Sequence, residues 1–365
     1  MATSALSAMY DRMKEVQEFD QSKAGVKGLS DSGVSTIPRI FIHPPESLSG
    51  LRNPSSSSVQ IPLIDLSHAD SNPHPPEIVQ KIRDAAKTWG FFQVINHGIP
   101  VSALDQTISA IKSFHEQPKE AKSKFYSREE KRGVMYASNN DLYRSRAASW
   151  HDTLQVWLAG PAAASVEEIP EICRNEVVEW NEHVKNAAEK VMELLALGLG
   201  LDAGKFRELS FSGERVMVAH IYPYCPQPDL TLGITAHTDP GIITVLLQNE
   251  IQGLQVKHGD EWVDVKPVPG GLIVNIGDFL QIVSNGEYKS IQHRVLANGC
   301  KQPRISIVTF FNLLRWPESD RYGPLQELLT PEKPAIYRDF SRQEFLNNFY
   351  GKELDSKSLI EKIKL

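Results

Sequence analysis

Two histidines and one aspartate have the residue types of an iron site built from two imidazoles and one carboxylate. His237 and Asp239 are separated by one residue, and His293 follows much later in the chain. Residues two apart in a strand point to the same face, so His237 and Asp239 would lie side by side. Three ligands on one side of Fe(II) leave other coordination positions open, as oxygen chemistry at non-haem iron requires. The pattern therefore predicts a catalytic metal site.

A second pair, Arg304 and Ser306, has the same spacing. An arginine that points inward from an otherwise apolar strand needs a partner, because an unpaired buried charge is costly. The planar fork of arginine together with a hydroxyl suits a carboxylate ligand. His-x-Asp can also arise by chance, and Arg304 could instead form a surface salt bridge. The two pairs together favour a metal site next to a carboxylate site.

Three aromatic residues are candidates for the wall around this site. Tyr222 ends a predicted strand whose alternation could turn it toward the same opening. Phe310 shares the face of Arg304 and Ser306 and is predicted to form an apolar surface above the metal. Tyr136 is a further candidate for contact with a substrate. A structural role in the core is the alternative for each of the three.

The elements that must position these residues are short β-rich runs separated by Gly, Pro and Asn. They lie at residues 216–222, 242–247, 254–257, 262–265, 272–276, 290–296 and 305–311. Many short strands at this spacing indicate a sandwich or barrel, and a double-sheet jelly roll offers an open mouth for a ligand. We predict a mainly β fold with flanking α-helices, in which helices pack on one side of a double-stranded β-helix, or jelly-roll, core.

The whole chain is divided into four predicted regions. They are an N-terminal helix and linker at 1–58, an α+β region at 59–205, the jelly-roll core at 206–315 and a C-terminal helical extension at 316–365. Helices are predicted at 5–21, 77–89, 102–116, 119–124, 168–201, 342–349 and 357–362, and strands at 59–66 and 91–96. Loops are predicted at 24–28, 53–58, 135–142 and 312–322.

The composition of the chain favours a globular protein and argues against several classes of partner. With 365 residues, of which 41% are hydrophobic, the chain can bury a full core. The net charge of -6 without a basic block argues against a nucleic-acid partner. Cys173, Cys225 and Cys300 show neither disulfide nor zinc spacing. A reducing compartment fits these cysteines best, so we expect a cytoplasmic protein. No apolar run is long enough for a membrane span, so no membrane partner is expected. The protein is predicted to be a monomer.

The chain resembles the plant 2-oxoglutarate and Fe(II)-dependent dioxygenase superfamily over nearly its whole length. The motifs that carry the resemblance are WGFFQVINHG at 89–98, YPYCPQP at 222–228, HTD at 237–239, QHRV at 292–295 and RIS at 304–306. The segment FDQSKAGVKGL at 19–29 is similar to the subgroup called aminocyclopropane-carboxylate oxidase homologues.

The resemblance implies roles for individual residues. The implied iron ligands are His237, Asp239 and His293. The implied ligands of the distal carboxylate of 2-oxoglutarate are Arg304, Ser306 and Tyr222. No catalytic residue beyond the metal ligands is implied. His220 is a departure, since many relatives have Asn two residues before the matching tyrosine.

The resemblance also implies a reaction. O2, Fe(II) and 2-oxoglutarate, with ascorbate as reductant, would hydroxylate, demethylate or desaturate a small plant specialised metabolite and release succinate and CO2. One alternative is true aminocyclopropane-carboxylate oxidation to ethylene, which uses ascorbate in place of 2-oxoglutarate. Another is a protein of the same fold that binds a metabolite without turnover. The segment at 19–29 favours the homologue subgroup over the first alternative, and the intact triad argues against the second.

Overall fold

Short runs rich in Val, Ile and Leu form two sheets that face each other across an apolar interior. The computed structural model describes residues 10–51, 59–69, 71, 73–129, 132–312, 321–341, 343–345, 347 and 359–365. The strands in chain order are β1 Leu63–Asp65, β2 Phe91–Ile95, β3 Val134–Ala137, β4 Asp152–Ala159, β5 Glu214–Tyr222, β6 Leu232–His237, β7 Ile243–Gln248, β8 Leu254–His258, β9 Glu261–Asp264, β10 Leu272–Ile276, β11 His293–Leu296, β12 Arg304–Asn312, β13 Arg321–Tyr322 and β14 Phe340–Ser341.

The two sheets differ in size. The large sheet has eight strands in the order β1-β2-β10-β7-β12-β5-β4-β3, and the small sheet has four in the order β6-β11-β8-β9. Strands β1 and β2 run parallel, whereas the other neighbours in both sheets run antiparallel. This double-sheet arrangement confirms the predicted jelly-roll core. Strands β1 to β4, from the predicted region 59–205, join the same large sheet as the core strands.

Strand β12 contributes side chains to two hydrophobic clusters, one on each face of the large sheet. Ile305, Ile307 and Phe311 are buried in the cluster that includes the helices, whereas Val308 lies in a cluster between the two sheets and Phe310 packs against it. Successive side chains of a strand point to opposite faces, which explains this division. We call the cluster between the sheets the inner cluster, and its buried members are Ile61, Phe91, Tyr222, Leu246, Leu254, Val256, Val265, Ile273, Val295 and Val308.

Helices cover the outer face of the large sheet, as predicted. The helices in chain order are α1 Arg12–Ser22, α2 Gly25–Asp31, α3 Pro76–Thr88, α4 Val101–Glu116, α5 Lys119–Lys122, α6 Arg174–Gly198, α7 Lys205–Glu208, α8 Asp278–Val283 and α9 Leu359–Ile363, and the buried residues of α1 and α2 lie in a separate cluster. The longest, α6, buries Trp180, whose Nε1 donates a 3.0 Å hydrogen bond to Thr309 Oγ1 on β12. Two single 3₁₀ turns, Val166–Glu168 and Glu171–Cys173, replace the predicted first turns of this helix.

Several sequence predictions of local structure were wrong. Helix α2 occupies the loop predicted at 24–28, and β3 occupies part of the loop predicted at 135–142. Strand β4 and helix α8 were not predicted. The first five residues of β4 are all buried, so the strand lacks the alternation that marks a half-exposed strand.

The buried carboxylate of Asp152 fixes the N-terminal helices to strand β4. It accepts hydrogen bonds from the backbone N–H groups of Val26, at 2.7 Å, and Lys27, at 2.8 Å. The Ser138 hydroxyl donates to the same carboxylate. A Cβ atom at Gly25 would lie 2.5 Å from Oδ2 of Asp152, so this approach requires glycine.

Parts of the predictions fall on residues that the structure does not describe. The linker at 53–58 lies outside the described residues, as do residues 5–9 of the predicted first helix, half of 342–349 and most of 312–322. Within the described ranges, none of the helices combines the length and the apolar character needed to cross a membrane.

Candidate active site

His237, Asp239 and His293 lie together at one end of the small sheet. His237 is the last residue of β6, His293 is the first of β11, and the two are direct partners across the sheet. Nε2 of each imidazole is 3.6 Å from Oδ1 of Asp239. The three possible ligand atoms lie within 4.8 Å of one another. Asp239 follows the end of its strand by two residues, so the shared strand face predicted for it is not the cause of this contact.

Both imidazoles turn Nε2 toward Asp239. Nδ1 of His237 lies 2.8 Å from the carbonyl oxygen of Thr235, and Nδ1 of His293 lies 3.3 Å from that of Ile291. A carbonyl oxygen can only accept, so Nδ1 donates in each ring and Nε2 is the nitrogen that a metal could bind. Hydrogen bonds of this kind orient histidines that bind metals.

The second oxygen of Asp239 is held by the large sheet. Oδ2 accepts hydrogen bonds from Thr244 Oγ1 at 2.6 Å and Asn275 Nδ2 at 2.7 Å. Burial by itself would raise the pKa of Asp239, but His293 and His237, together with these two donors, lower it below its ordinary value. The carboxylate is therefore charged, and its Oδ1 faces the two imidazoles.

Arg304 is fully buried and has no carboxylate partner among the described residues. Its Nη2 donates to Gln248 Oε1 at 2.7 Å, and its guanidinium carbon lies 4.8 Å from the ring centre of Tyr222. Its Nε and Nη1 find no hydrogen-bond partner within the described part of the chain. Buried N–H groups of a charged side chain are costly to leave unpaired, so this guanidinium is suited to an anionic ligand.

Ser306 and Tyr222 are neighbours of Arg304 in the large sheet. Strand β12 pairs with β5 so that Arg304 lies opposite Tyr222 and Ser306 lies opposite His220. Burial raises the pKa of Tyr222, although the charge of Arg304 and a hydrogen bond with Ser306 oppose the rise. The hydroxyl therefore stays protonated, and the three residues predicted to bind a carboxylate lie together.

Gly253 allows Arg304 to approach the small sheet. A Cβ atom on Gly253 would lie 3.1 Å from Cδ of Arg304 and 3.6 Å from Cγ1 of Val295. Val295 follows His293 by two residues on β11, a separation of about 7 Å along a strand. The side chain of Arg304 therefore lies close to the strand of the small sheet that carries His293.

His220 is a neutral polar group beside this site. Its Nδ1 lies 2.9 Å from Thr153 Oγ1, and its ring centre lies 5.0 Å from that of His151 and 5.8 Å from that of Tyr222. Burial, followed by the nearby His151 and Arg304, holds the pKa of His220 well below its ordinary value. The departure from asparagine thus places an uncharged imidazole opposite Ser306.

The aromatic residues predicted to contact a substrate lie in different parts of the structure. Phe310 packs against the inner cluster, whereas Tyr136 lies in the core formed with the helices, with its ring centre 5.8 Å from that of Phe114. Among the described residues, the structure does not bring Tyr136 into the inner cluster. Phe91, which was not predicted to belong to the site, has its ring centre 5.0 Å from that of His293.

Thr244, Gln248 and Asn275 were also missed by the sequence predictions. They lie in strands whose other residues are mostly apolar, since β7 reads ITVLLQ and β10 reads LIVNI. Buried polar side chains need hydrogen-bond partners, so a polar residue inside such a strand indicates a buried polar site. This signal could have identified Thr244 and Asn275, but not the partners that they contact.

The residues present fit both iron and 2-oxoglutarate. Two imidazole lone pairs and one charged carboxylate form the donor set of a non-haem iron site with open positions. The guanidinium of Arg304 keeps unpaired N–H groups that can donate to a carboxylate.

Two protein-family models match the chain. The model described as the 2OG-Fe(II) oxygenase superfamily matches residues 213–313, and the model described as the non-haem dioxygenase in morphine synthesis N-terminal matches residues 61–176. The first match contains the triad and the Arg304 site. The second contains strands β1 to β4.

Relatives match over almost the whole chain. The 1-aminocyclopropane-1-carboxylate oxidase homolog 4 of Arabidopsis thaliana is 44% identical over 96% of this chain and 97% of its own length. A homolog from Solanum lycopersicum is 41% identical over 100% of both chains.

Solved structures show the same relationship. JOX2 in complex with 2OG, Fe and JA has a TM-score of 0.79 and 31% sequence identity, and the match covers 93% of this chain and 97% of that one. The rice dioxygenase for auxin oxidation (DAO) has a TM-score of 0.69 and 27% identity over 84% of this chain and 100% of that one. With the site geometry described above, these matches show that the chain belongs to the 2OG-Fe(II) oxygenase superfamily and is a dioxygenase that uses iron and 2-oxoglutarate.

Proposed function

We propose that this dioxygenase hydroxylates a small, partly apolar plant metabolite while 2-oxoglutarate is converted to succinate and CO2. The proposed iron ligands are His237, Asp239 and His293. The proposed ligands of the distal carboxylate of 2-oxoglutarate are Arg304, Ser306 and Tyr222.

One observation carries the proposal. Arg304 is buried with two unpaired N–H groups, and its side chain lies by Val295, two residues along β11 from His293. A guanidinium at this position supports binding of a cosubstrate that carries a carboxylate at each end. A carbonyl or hydroxyl ligand would leave the positive charge of Arg304 uncompensated.

Bound iron and 2-oxoglutarate supply an oxidant that can remove a hydrogen atom from a nearby C–H bond. The residues of the chain hold the proposed metal ligands in position and supply the charged groups of the site. Thr244 and Asn275 fix the Asp239 carboxylate, and the carbonyl oxygens that accept from the two Nδ1–H groups fix the imidazoles. The apolar inner cluster would limit the access of water to the site. Which C–H bond reacts would depend on how the pocket orients the substrate.

Two observations support a small and partly apolar substrate. Phe310 packs against the inner cluster and Phe91 contacts the ring of His293, so apolar surface lies close to the triad. The similar structures are JOX2 bound to JA and a dioxygenase for auxin oxidation. JA and auxin are small molecules, which favours a substrate of comparable size here.

The test is an assay of purified protein with Fe(II), ascorbate, 2-oxoglutarate and a panel of plant metabolites. We expect one metabolite class to drive succinate formation and to gain one oxygen atom per succinate. Mass spectrometry under ¹⁸O2 follows both products. His237→Ala should lose iron binding, measured directly by anaerobic titration. If no metabolite stimulates succinate formation and His237→Ala still binds iron, the proposal is wrong.

The same assay separates the alternatives. Ethylene release from aminocyclopropane-carboxylate without succinate would favour an aminocyclopropane-carboxylate oxidase. Tight binding of a metabolite with no iron-dependent product would favour a binding protein. The predicted monomer is checked on the same preparation by sedimentation.

A further inference from the structure

Three buried nitrogen atoms beside the carboxylate site have no hydrogen-bond partner within the described residues. Two are Nε and Nη1 of Arg304, and the third is Nε2 of Gln248. All three can only donate. Buried donors are normally paired, so this group indicates a ligand rich in acceptor atoms.

The position of Gln248 is fixed by the sheet and by Arg304. Gln248 ends β7 and lies directly opposite Ser306 on β12. Its Oε1 accepts from Arg304 Nη2 at 2.7 Å. The reversed amide would place an N–H donor against an N–H donor, so Arg304 determines which way the amide faces. Nε2 is therefore a donor of defined direction.

The small sheet contains a similar pair with an acceptor in place. Gln255 Oε1 accepts from Arg294 Nε at 2.8 Å, and Gln255 Nε2 donates to Oδ1 of Asp264 at 2.8 Å. One glutamine thus joins a guanidinium to a carboxylate. Gln248 is hydrogen-bonded to the guanidinium of Arg304, but within the described residues its Nε2 has no carboxylate partner.

We propose that Gln248 binds the distal carboxylate of 2-oxoglutarate through Nε2 while its Oε1 holds the Arg304 fork in position. This inference rests on the proposed function, because it takes Arg304 as the carboxylate ligand. Gln248 is a neutral acceptor, so it orients Arg304 without neutralising it. A carboxylate at this position would form an ion pair with Arg304 and compete with the cosubstrate.

The test compares two ligands on the Fe(II)-loaded protein by calorimetry without oxygen. The first is 2-oxoglutarate, and the second is 2-oxopentanoate, which has a methyl group in place of the distal carboxylate. For Gln248→Leu we expect the dissociation constant of 2-oxoglutarate to rise about tenfold, as for loss of a hydrogen bond to a charged group. For Gln248→Glu we expect a rise of about a hundredfold, because like charges would meet. Binding of 2-oxopentanoate should change less than about twofold in both variants, since it lacks the affected group.

Gln255→Leu is the matched control, because it removes the same amide from the similar pair on the small sheet. It should leave the affinity for both ligands unchanged. Retained binding of 2-oxopentanoate also shows that a Gln248 variant is folded. An equal loss of both ligands would show that Gln248 is a structural residue, and unchanged 2-oxoglutarate binding would also overturn the inference.

Arg304→Met separates this inference from the proposed function. If it weakens 2-oxoglutarate binding strongly while the Gln248 variants do not, the role of Gln248 is wrong and the proposed clamp stands. If Arg304→Met itself leaves 2-oxoglutarate binding unchanged, the proposed clamp is wrong and the role of Gln248 falls with it.

Discussion

Thr244 on the large sheet donates a 2.6 Å hydrogen bond to Asp239, which follows the end of a strand in the small sheet. We expect Thr244→Val to weaken Fe(II) binding about tenfold, because a hydrogen bond that orients the proposed metal ligand Asp239 is lost. Anaerobic iron titration measures the change. Thr309→Val is the control, since it removes a buried hydroxyl that accepts from Trp180 instead. Equal iron affinity in Thr244→Val and the parent would contradict the prediction.

Tyr222 and Tyr136 are both buried, but only Tyr222 belongs to the inner cluster. Tyr222→Phe removes the hydroxyl that interacts with Ser306, and we expect 2-oxoglutarate to bind about fivefold more weakly. Tyr136→Phe removes a 3.3 Å hydrogen bond to Asp152 and should lower only the stability of the fold. Calorimetry and urea unfolding distinguish the two effects. A loss of 2-oxoglutarate affinity in Tyr136→Phe would instead place Tyr136 at the site.

Gly25 and Gly33 have similar backbone conformations in different surroundings. Their φ angles are +70° and +74°, and a Cβ at Gly25 would lie 2.5 Å from Asp152, whereas at Gly33 nothing lies within 4 Å. We expect Gly33→Ala to cost about 1 kcal/mol of unfolding free energy from backbone strain alone. Gly25→Ala should cost at least about 2 kcal/mol more, because it also displaces a buried, hydrogen-bonded carboxylate. Equal losses in urea unfolding would show that the clash is relieved without cost.

Buried histidines, His115 and His151 among them, make stability depend on pH. Burial lowers the pKa of His115 to about 3 and that of His151 to about 4. In the unfolded chain a histidine binds a proton below about pH 6.5, so acid favours unfolding between that pH and the folded pKa. This part of the stability should be fully present above pH 6.5 and should fall by up to about 1.4 kcal/mol per pH unit for each histidine as the pH drops from 6.5 to its folded pKa.

His115→Gln tests this pH dependence. The variant should lose less stability than the parent between pH 6.5 and 4, as measured by urea unfolding at several pH values, because its unfolding takes up one proton fewer. Parallel curves for variant and parent would mean that His115 is not the group responsible.

Much of the site could be predicted because strand faces repeat every two residues. Arg304 and Ser306 were placed together by this rule, and the structure has them on one strand. Asp239 was placed beside His237 by the same rule, but β6 ends at His237, so the contact comes from the following turn. The pairing of Gln248 with Ser306 depends on the register between β7 and β12, which one sequence does not reveal.

The N-terminal helices show a second reason why a prediction of local structure from the sequence was wrong. Two glycines in residues 24–28 favour a loop, yet helix α2 starts at Gly25. Gly25 is needed there because Asp152 lies against it, and Asp152 comes from a strand far along the chain. Tertiary contact, not local propensity, decides the structure of this segment.

The triad joins the two sheets. His237 and His293 belong to the small sheet, whereas Thr244 and Asn275 tie the carboxylate of Asp239 to the large sheet. An ion held by all three ligands would act as a cross-link between the layers, and binding confined to the folded state adds stability by mass action. A cell short of iron would then hold a protein that is not merely inactive but also opens more often to proteases, so iron supply would set its lifetime as well as its activity.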